Sequence, residues 1–155
     1  MKTGSCRDVF VKDFDLSYMN EIVEIESECF NSSVRYSEEV FNYYYQRGSI
    51  FKVAECGGVI AGYVIADIED SLCHVVSIAV RRMYRRMGIG STLLDRALAE
   101  CKGLGARRAY LEVATSNQPA LEMYLKAGFQ VIGVIKGYYG VEDAYVMVKE
   151  LDQRG

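Results

Sequence analysis

The sequence has one histidine, His74, no tryptophan, and five cysteines without a C-x-x-C pair. A single histidine excludes His-rich metal signatures, and five scattered cysteines fit neither a secreted disulfide framework nor a zinc ribbon. Charges interrupt every hydrophobic stretch before membrane-spanning length, and the first residues form no apolar signal segment. We therefore expect no metal, no membrane contact, reduced thiols and a cytoplasmic location.

The composition is that of a globular chain. Of 155 residues, 50% are hydrophobic and 25% are charged, which predicts one domain spanning residues 1–155. The net charge of −3 argues against a general nucleic-acid binder. Four arginines nevertheless cluster in residues 81–86, which indicates a local anion site.

Periodicity predicts the elements of the first half. Residues 8–14 alternate like a strand, helical spacing follows from Tyr18 to Cys29, and Ser37 is placed to cap a second helix. Two apolar runs flank Gly57-Gly58, a dipeptide that favours the positive φ angles of a hairpin turn.

Sequence patterns in the second half of the chain predict four strands and two helices. They are a strand at 73–80, a helix opening at Gly90-Ser91, a strand at 109–113, a helix from Asn117 to Gly128, and strands at 129–135 and 144–148. The complete order β-α-α-β-β-β-α-β-α-β-β predicts an α/β sheet that is antiparallel at its start. At least one right-handed βαβ crossover is expected between Cys73 and Val113.

A glycine-containing loop joins the strand at 73–80 to the next helix. Its glycines allow close approach of a ligand to the backbone, and the helix N-terminus presents N–H groups to an anion. Leu93 stands where a dinucleotide fingerprint needs its third glycine, and no Walker lysine follows, which excludes those two classes. The alternative interpretation is a helix start capped by Ser91 beside solvated arginines.

Three segments together match a known pattern. They are Ser77-Ile78-Ala79-Val80 with Tyr84-Arg85-Arg86-Met87-Gly88-Ile89-Gly90; Leu111-Glu112-Val113-Ala114-Thr115-Ser116-Asn117 with Ala120, Tyr124 and Gly128-Phe129; and Gly137-Tyr138-Tyr139 with Glu142-Asp143-Ala144 and Met147. The first resembles the acetyl-CoA pyrophosphate motif of the GNAT acetyltransferase superfamily. The others are similar to N-alpha-acetyltransferases of the RimI and Ard types.

The resemblance implies a fold and a coenzyme. The fold would be a single-domain GNAT fold, with a mixed, mostly antiparallel sheet of about seven strands, a splay between strands 4 and 5, and four flanking helices. Acetyl-CoA would lay its pantetheine arm along strand 4 in the manner of strand addition and its pyrophosphate on the loop. The implied contacts are Ile78, Ala79, Val80, Arg85, Arg86, Met87, Gly88, Ile89, Gly90, Ser91, Asn117 and Tyr124.

The resemblance also implies catalytic roles. Glu112 would act as general base through water, Tyr124 would return a proton to the thiolate, and His74 would serve as a co-base. Each has a structural alternative: a solvated strand carboxylate, a core aromatic beside Leu121 and Leu125, and a satisfied structural histidine.

The acceptor is the least determined part of the pattern. Phe30, Tyr36, Tyr138 and Tyr139 resemble residues that hold the first residues of a substrate peptide, although residues 31–35 lack the carboxylate of eukaryotic-type members. The implied acceptors are protein N-termini, nascent or ribosomal, with an auxiliary subunit or a homodimer left open. The alternatives are an internal lysine, a small amine, or a noncatalytic acyl-CoA-binding module.

Overall fold

The computed structural model describes residues 6, 8–32, 34–138, 140 and 142–151. The strands in this part of the chain are β1 Val9–Asp13, β2 Ile50–Cys56, β3 Val59–Glu69, β4 Leu72–Val80, β5 Arg108–Ala114, β6 Gln130–Ile135 and β7 Ala144–Glu150. The helices are α1 Met19–Cys29, α2 Glu38–Gln46, α3 Ile89–Gly103 and α4 Gln118–Lys126. The predicted order of elements is confirmed. Within the described residues, no helix combines the length and the apolar character needed to cross a membrane.

The strands follow the hydrogen-bonding order β1-β2-β3-β4-β5-β7-β6. β1 with β2, β2 with β3, β5 with β7 and β6 with β7 are antiparallel pairs, whereas β4 and β5 are parallel. The parallel ladder pairs Leu72–His74 with Arg108–Tyr110, whereas β5 pairs with β7 over its whole length. This short ladder is the splay that the family pattern implies, and the predicted GNAT fold is confirmed.

Local sequence signals account for several element ends. Gly57 and Gly58 both adopt positive φ, 59° and 83°, as the hairpin between β2 and β3 requires. Ser37 precedes α2 as predicted, but its side chain makes no capping hydrogen bond. α3 begins at Ile89, so Ser91 lies inside the first turn and is not the cap that the alternative interpretation expected. The first helical turn is closed instead by a backbone hydrogen bond in which Thr92 N donates to Gly88 O at 2.9 Å.

Contacts divide the chain into two compact units. The first contains Met1–Ala66 and Val76–Ala97, and the second contains Asp67–Val75 and Leu98–Gly155. The core of the first unit is a cluster of side chains from α1, α2, β2, β3 and β4, centred on Ile22, Ile25, Phe41 and Tyr63. Phe41 and Tyr63 are fully buried and meet edge to face with ring centroids 5.5 Å apart.

The second unit is organised around β5. Ala109, Leu111 and Val113 are buried, while the residues between them are half-buried. This alternation arises because successive side chains of a strand point to opposite faces of the sheet. One face of β5 therefore contributes to the core, and the other carries Tyr110 and Glu112 at the surface.

Two pairs of cysteines lie close together in the structure. Cys6 lies beside Cys56 and Cys73 beside Cys101, with Cα atoms 5.7 and 6.1 Å apart, and Cys29 belongs to neither pair. Sequence spacing could not predict these pairs, because tertiary packing creates them: the β1–β2 register, for example, sets Val9 opposite Cys56. Cys73 and Cys101 are likewise both buried, one on β4 and the other on α3.

We predict that Gly62→Ala destabilises the protein. Gly62 lies in β3, and an added Cβ would be 2.6 Å from Ala79 O and 3.2 Å from Val80 Cα, both backbone atoms of β4. The free energy of unfolding, measured by denaturant titration, should fall by about 1–3 kcal/mol. Gly103→Ala is the matched control, because nothing lies within 4 Å of a Cβ there. Equal stability of the two variants would contradict the prediction.

Candidate active site

The predicted anion loop lies in the first unit. Arg86 and Gly88 have positive φ, 64° and 79°, which turns the chain sharply before α3. No atom lies within 4 Å of a Cβ placed on Gly88, so the space beside its backbone is open. Because the first amides of a helix have no acceptor within the helix, this end of α3 has donors to offer. The loop therefore has the features that a phosphate group requires.

The arginines before the loop are not all solvated, contrary to the alternative interpretation. Arg81 Nη1 lies 2.7 Å from Glu24 Oε1, and its Nε donates to Ile60 O at 2.9 Å. Arg85 Nε donates to Val80 O at 3.0 Å. These contacts anchor the loop to α1, β3 and β4, so both arginines serve the structure as well as the local charge.

The strand edge predicted to bind the pantetheine arm, Ile78–Val80, already accepts hydrogen bonds from other parts of the protein. Ala79 is buried and Ile78 and Val80 are half-buried. Val80 O accepts from Arg85 Nε and also from Cys29 Sγ at 3.4 Å. A strand-like ligand at this edge would therefore have to share Val80 O with these donors or bind through other backbone groups.

A histidine and a carboxylate meet in the second unit. His74 pairs with Tyr110 in the parallel ladder, and Glu112 follows two residues later on the same face of β5. His74 Nε2 lies 2.8 Å from Glu112 Oε1, and the two side chains are 29% and 15% exposed. The pair is accessible to solvent and can hold or pass a proton. The sequence predicted both residues but not their contact.

Tyr110 completes this group and was not predicted. Its ring stacks on the His74 ring with centroids 4.5 Å apart and an angle of 5° between the planes. Partial burial raises the pKa of Tyr110 from its usual value, and Glu112, Glu69 and Asp67 raise it further. Tyr110 therefore stays a neutral phenol that orients His74. Tyr110 lies beside His74 because of the register between β4 and β5, and this register cannot be derived from sequence periodicity.

Tyr124 lies on the inner side of α4. It is 6% exposed and meets Phe129 edge to face, with ring centroids 5.8 Å apart. These contacts are those of the structural alternative, a core aromatic, although Leu125 beside it is 50% exposed. The role of Tyr124 as general acid stays a prediction.

The residues predicted to hold the acceptor fall in two separate segments. Phe30 and Tyr36 lie between α1 and α2, where both are half-buried and pack against the core of the first unit. Tyr138 follows β6 and is 44% exposed. Tyr139 lies outside the described residues.

Asp143 organises the chain between β6 and β7. Its carboxylate accepts from Gly137 N at 2.9 Å and from Lys136 Nζ at 3.1 Å. These two donors lower the pKa of Asp143 from its usual value. The carboxylate thereby holds the turn from which Tyr138 projects.

Comparison with known proteins gives a consistent result. Residues 19–129 match the acetyltransferase (GNAT) family. An N-alpha-acetyltransferase of Sulfurisphaera tokodaii is 41% identical over 115 residues, which are 65% of this chain and 69% of that protein.

Solved structures agree with this match. Arabidopsis thaliana Naa50, in complex with the bisubstrate analogue CoA-Ac-MVNAL, superimposes with a TM-score of 0.81 at 26% identity, covering 91% of this chain and 97% of that one. The ribosomal-protein-S18-alanine N-acetyltransferase of Escherichia coli has a TM-score of 0.85 at 23% identity, covering 96% and 97%, which shows the shared fold.

Asn117 offers a test of two roles for one side chain. Its Oδ1 accepts from Ala120 N at 3.3 Å and caps α4, whereas the family resemblance implies a coenzyme contact. Asn117→Ala should lower the free energy of unfolding by about 1 kcal/mol, and Asn117→Asp should preserve it, because aspartate caps equally well.

Calorimetric titration with coenzyme A then separates the roles. A coenzyme contact predicts that Asn117→Asp binds coenzyme A more weakly than the wild type, since the ligand is an anion. Unchanged affinity of Asn117→Asp for coenzyme A would exclude the coenzyme contact and leave helix capping as the role of Asn117.

Proposed function

Because the chain belongs to the GNAT family of acetyltransferases, we propose that it acetylates the N-terminal α-amino group of proteins, using acetyl-CoA. The observation that carries the proposal is the contact between His74 Nε2 and Glu112 Oε1. It provides a solvent-accessible proton acceptor beside the parallel ladder of β4 and β5. Similarity to proteins named N-alpha-acetyltransferase supports the choice of acceptor.

The chemistry of the acceptor agrees with a modest base. An α-amino group with a pKa of about 7.8 is roughly 15% neutral at pH 7, whereas a lysine with a pKa of about 10.4 is roughly 0.04% neutral. A carboxylate assisted by an imidazole is a strong enough base to deprotonate an α-amino group, and it is less suited to deprotonating a lysine. This difference favours the N-terminal acceptor over an internal lysine.

In the proposed mechanism, Glu112 accepts the proton that the amine loses, directly or through one water. In the tautomer with a proton on Nε2, His74 donates to the Glu112 carboxylate and holds it in place; in the other tautomer, Nε2 accepts the proton from protonated Glu112 and His74 acts as the co-base. Tyr110 keeps the imidazole plane fixed by stacking. The proton then leaves towards solvent on the exposed side of the pair.

The leaving group needs a proton at the other end of the reaction. We assign this step to Tyr124, because a phenol with a pKa of about 10 can protonate a thiolate whose conjugate acid has a pKa near 8.5. Its buried ring restricts the directions in which the hydroxyl can donate. Such restriction is useful for an acid that must act on one atom.

Acetyl-CoA supplies the thioester from which the acetyl group is transferred. The first amides of α3 would bind its pyrophosphate, and the open space beside Gly88 fits a group that approaches the backbone closely. Arg86, exposed at the start of the turn, would add positive charge. The edge Ile78–Val80 is proposed for the pantetheine arm.

The setting of the reaction is also proposed. We place it in the cytoplasm, on nascent or ribosomal proteins, with an auxiliary subunit or a homodimer as the assembly. A relative from Bacillus subtilis, 35% identical over 143 residues, is named as a putative ribosomal protein bS18-alanine N-acetyltransferase, which supports acceptors of this kind. No nucleic acid or membrane is part of the proposal.

A peptide panel tests the acceptor. Peptides with a free N-terminus should be acetylated by acetyl-CoA, and the same peptides with a blocked N-terminus and an internal lysine should not. Mass spectrometry locates the added acetyl group. Acetylation only of lysine or of small amines would contradict the proposal, and the absence of turnover with every amine would favour a binding module.

The two proton-transfer residues predict different pH profiles. Glu112→Gln should lower kcat/KM by roughly 10²–10⁴ at pH 7 and recover partly towards pH 9, where the amine loses its proton unaided. Tyr124→Phe should lower kcat with little change in acetyl-CoA affinity and without that recovery. Glu122→Gln is the control, an exposed carboxylate of α4. Wild-type profiles in both active-site variants would remove the assigned roles.

A further inference from the structure

Glu26 is the one charged side chain that is buried among the described residues, with 2% of its surface exposed. It lies in α1, three residues before the helix ends. Its Oε2 accepts from Tyr36 N at 2.8 Å, and its Oε1 accepts from the Tyr63 hydroxyl. Both carboxylate oxygens are therefore engaged, one by a backbone group and the other by a side chain.

The network continues into the sheet. Tyr63 is fully buried in β3, and its hydroxyl oxygen lies 2.8 Å from Ser77 Oγ on β4. Because the Tyr63 hydroxyl donates to Glu26, the Ser77 hydroxyl is the donor to Tyr63. A continuous chain of hydrogen bonds thus runs from the backbone of Tyr36 through Glu26 and Tyr63 to Ser77, all within the first unit.

Stability alone does not explain this arrangement. Burying a carboxylate costs free energy, and well-packed apolar replacements of buried ionic groups are often neutral or stabilising. Burial also raises the pKa of Glu26, while the hydrogen bonds from Tyr63 and Tyr36 oppose that rise. What an apolar residue could not do is hold the backbone N–H of Tyr36, which lies outside any helix or strand.

The connection between α1 and α2, which Glu26 holds at Tyr36, is one of the segments expected to receive the acceptor. Tyr36 ends the connection between α1 and α2, and its ring packs edge to face against Phe41, with centroids 5.9 Å apart. The ring and the backbone of Tyr36 are therefore both fixed, the first by the core and the second by Glu26. Loss of the backbone contact would free the end of this connection.

We propose that Glu26 is a positioning residue that fixes the end of the α1–α2 connection at Tyr36 in the conformation that receives the acceptor peptide. The inference rests on the proposed function, because it concerns the peptide of that reaction. Tyr63 and Ser77 hold the carboxylate in place from the side of the sheet. Glu26 itself touches neither the acceptor nor the coenzyme.

Two variants separate hydrogen bonding from charge. Glu26→Gln can accept from Tyr36 N with its amide oxygen and donate to Tyr63 with its amide nitrogen, while Tyr63 donates to Ser77. Glu26→Met has similar length and no acceptor. In Glu26→Met the KM for the peptide should rise about tenfold, with kcat and the KM for acetyl-CoA within about twofold of wild type. Glu26→Gln should stay within about threefold of wild type for all three constants.

Hydrogen exchange at the Tyr36 amide gives a readout that does not depend on activity. By NMR, exchange should be slow in the wild type and in Glu26→Gln and about tenfold faster or more in Glu26→Met. Where Glu26→Met does not fold, Glu26→Asp replaces it, because it keeps the charge but is one methylene too short to reach Tyr36 and Tyr63 together. Glu26→Asp should show the same faster exchange and the same rise in peptide KM.

The outcomes distinguish this inference from the function on which it rests. Equal Tyr36 exchange in the wild type and Glu26→Met, or a parallel loss in both KM values and kcat, would overturn the positioning role. A wild type that acetylates no peptide would overturn the proposed function, whatever the exchange rates are.

Discussion

The parallel ladder between β4 and β5 is the constraint on which the candidate site depends. Its three residue pairs set His74 opposite Tyr110, and the strand period then brings Glu112 to the same face. A shift of one residue in either strand would turn one of these side chains to the buried face and separate the imidazole from the carboxylate. Burial of Ala109, Leu111 and Val113 resists such a shift, because it would expose the apolar face of β5. The packing of the second unit therefore secures the contact between His74 and Glu112.

Polar contacts shape the first unit in a comparable way. Arg81 and Arg85 tie the loop before α3 to α1, β3 and β4, and Glu26 ties the end of the α1–α2 connection to β3. The two arginines are loop residues whose side chains donate to the backbone of β3 and β4, whereas Glu26 is a helix residue whose side chain accepts from Tyr36 N, a backbone group outside any helix or strand. Charged side chains thus hold both irregular segments against the regular elements of the first unit.

Membership of the GNAT family identifies the reaction class but not the acceptor, because one fold supports many acceptors. The distinction comes from side chains at a few positions. In the function proposed above, the His74–Glu112 pair meets the modest demand of an α-amino group, and the connection around Tyr36 and the turn at Tyr138 are the proposed places for a preference in peptide sequence. The ring of Tyr124 belongs to the core, and its role as general acid stays a prediction.

Sequence patterns predicted the order of the elements, the hairpin at Gly57-Gly58, the start of a helix at Asn117 and the glycine loop before α3, because periodicity and turn chemistry are local properties. The family pattern also located His74 and Glu112. Four contacts came from the three-dimensional structure alone: these two side chains touch, Tyr110 stacks on the imidazole, Arg85 folds back onto Val80, and Cys73 lies beside Cys101. Glu26 lies within the helix predicted from Tyr18 to Cys29, and its burial in contact with Tyr63 of β3 arises from tertiary packing. Contacts of this kind join residues far apart in the chain, so strand register and helix packing create them, and neither is encoded in local spacing.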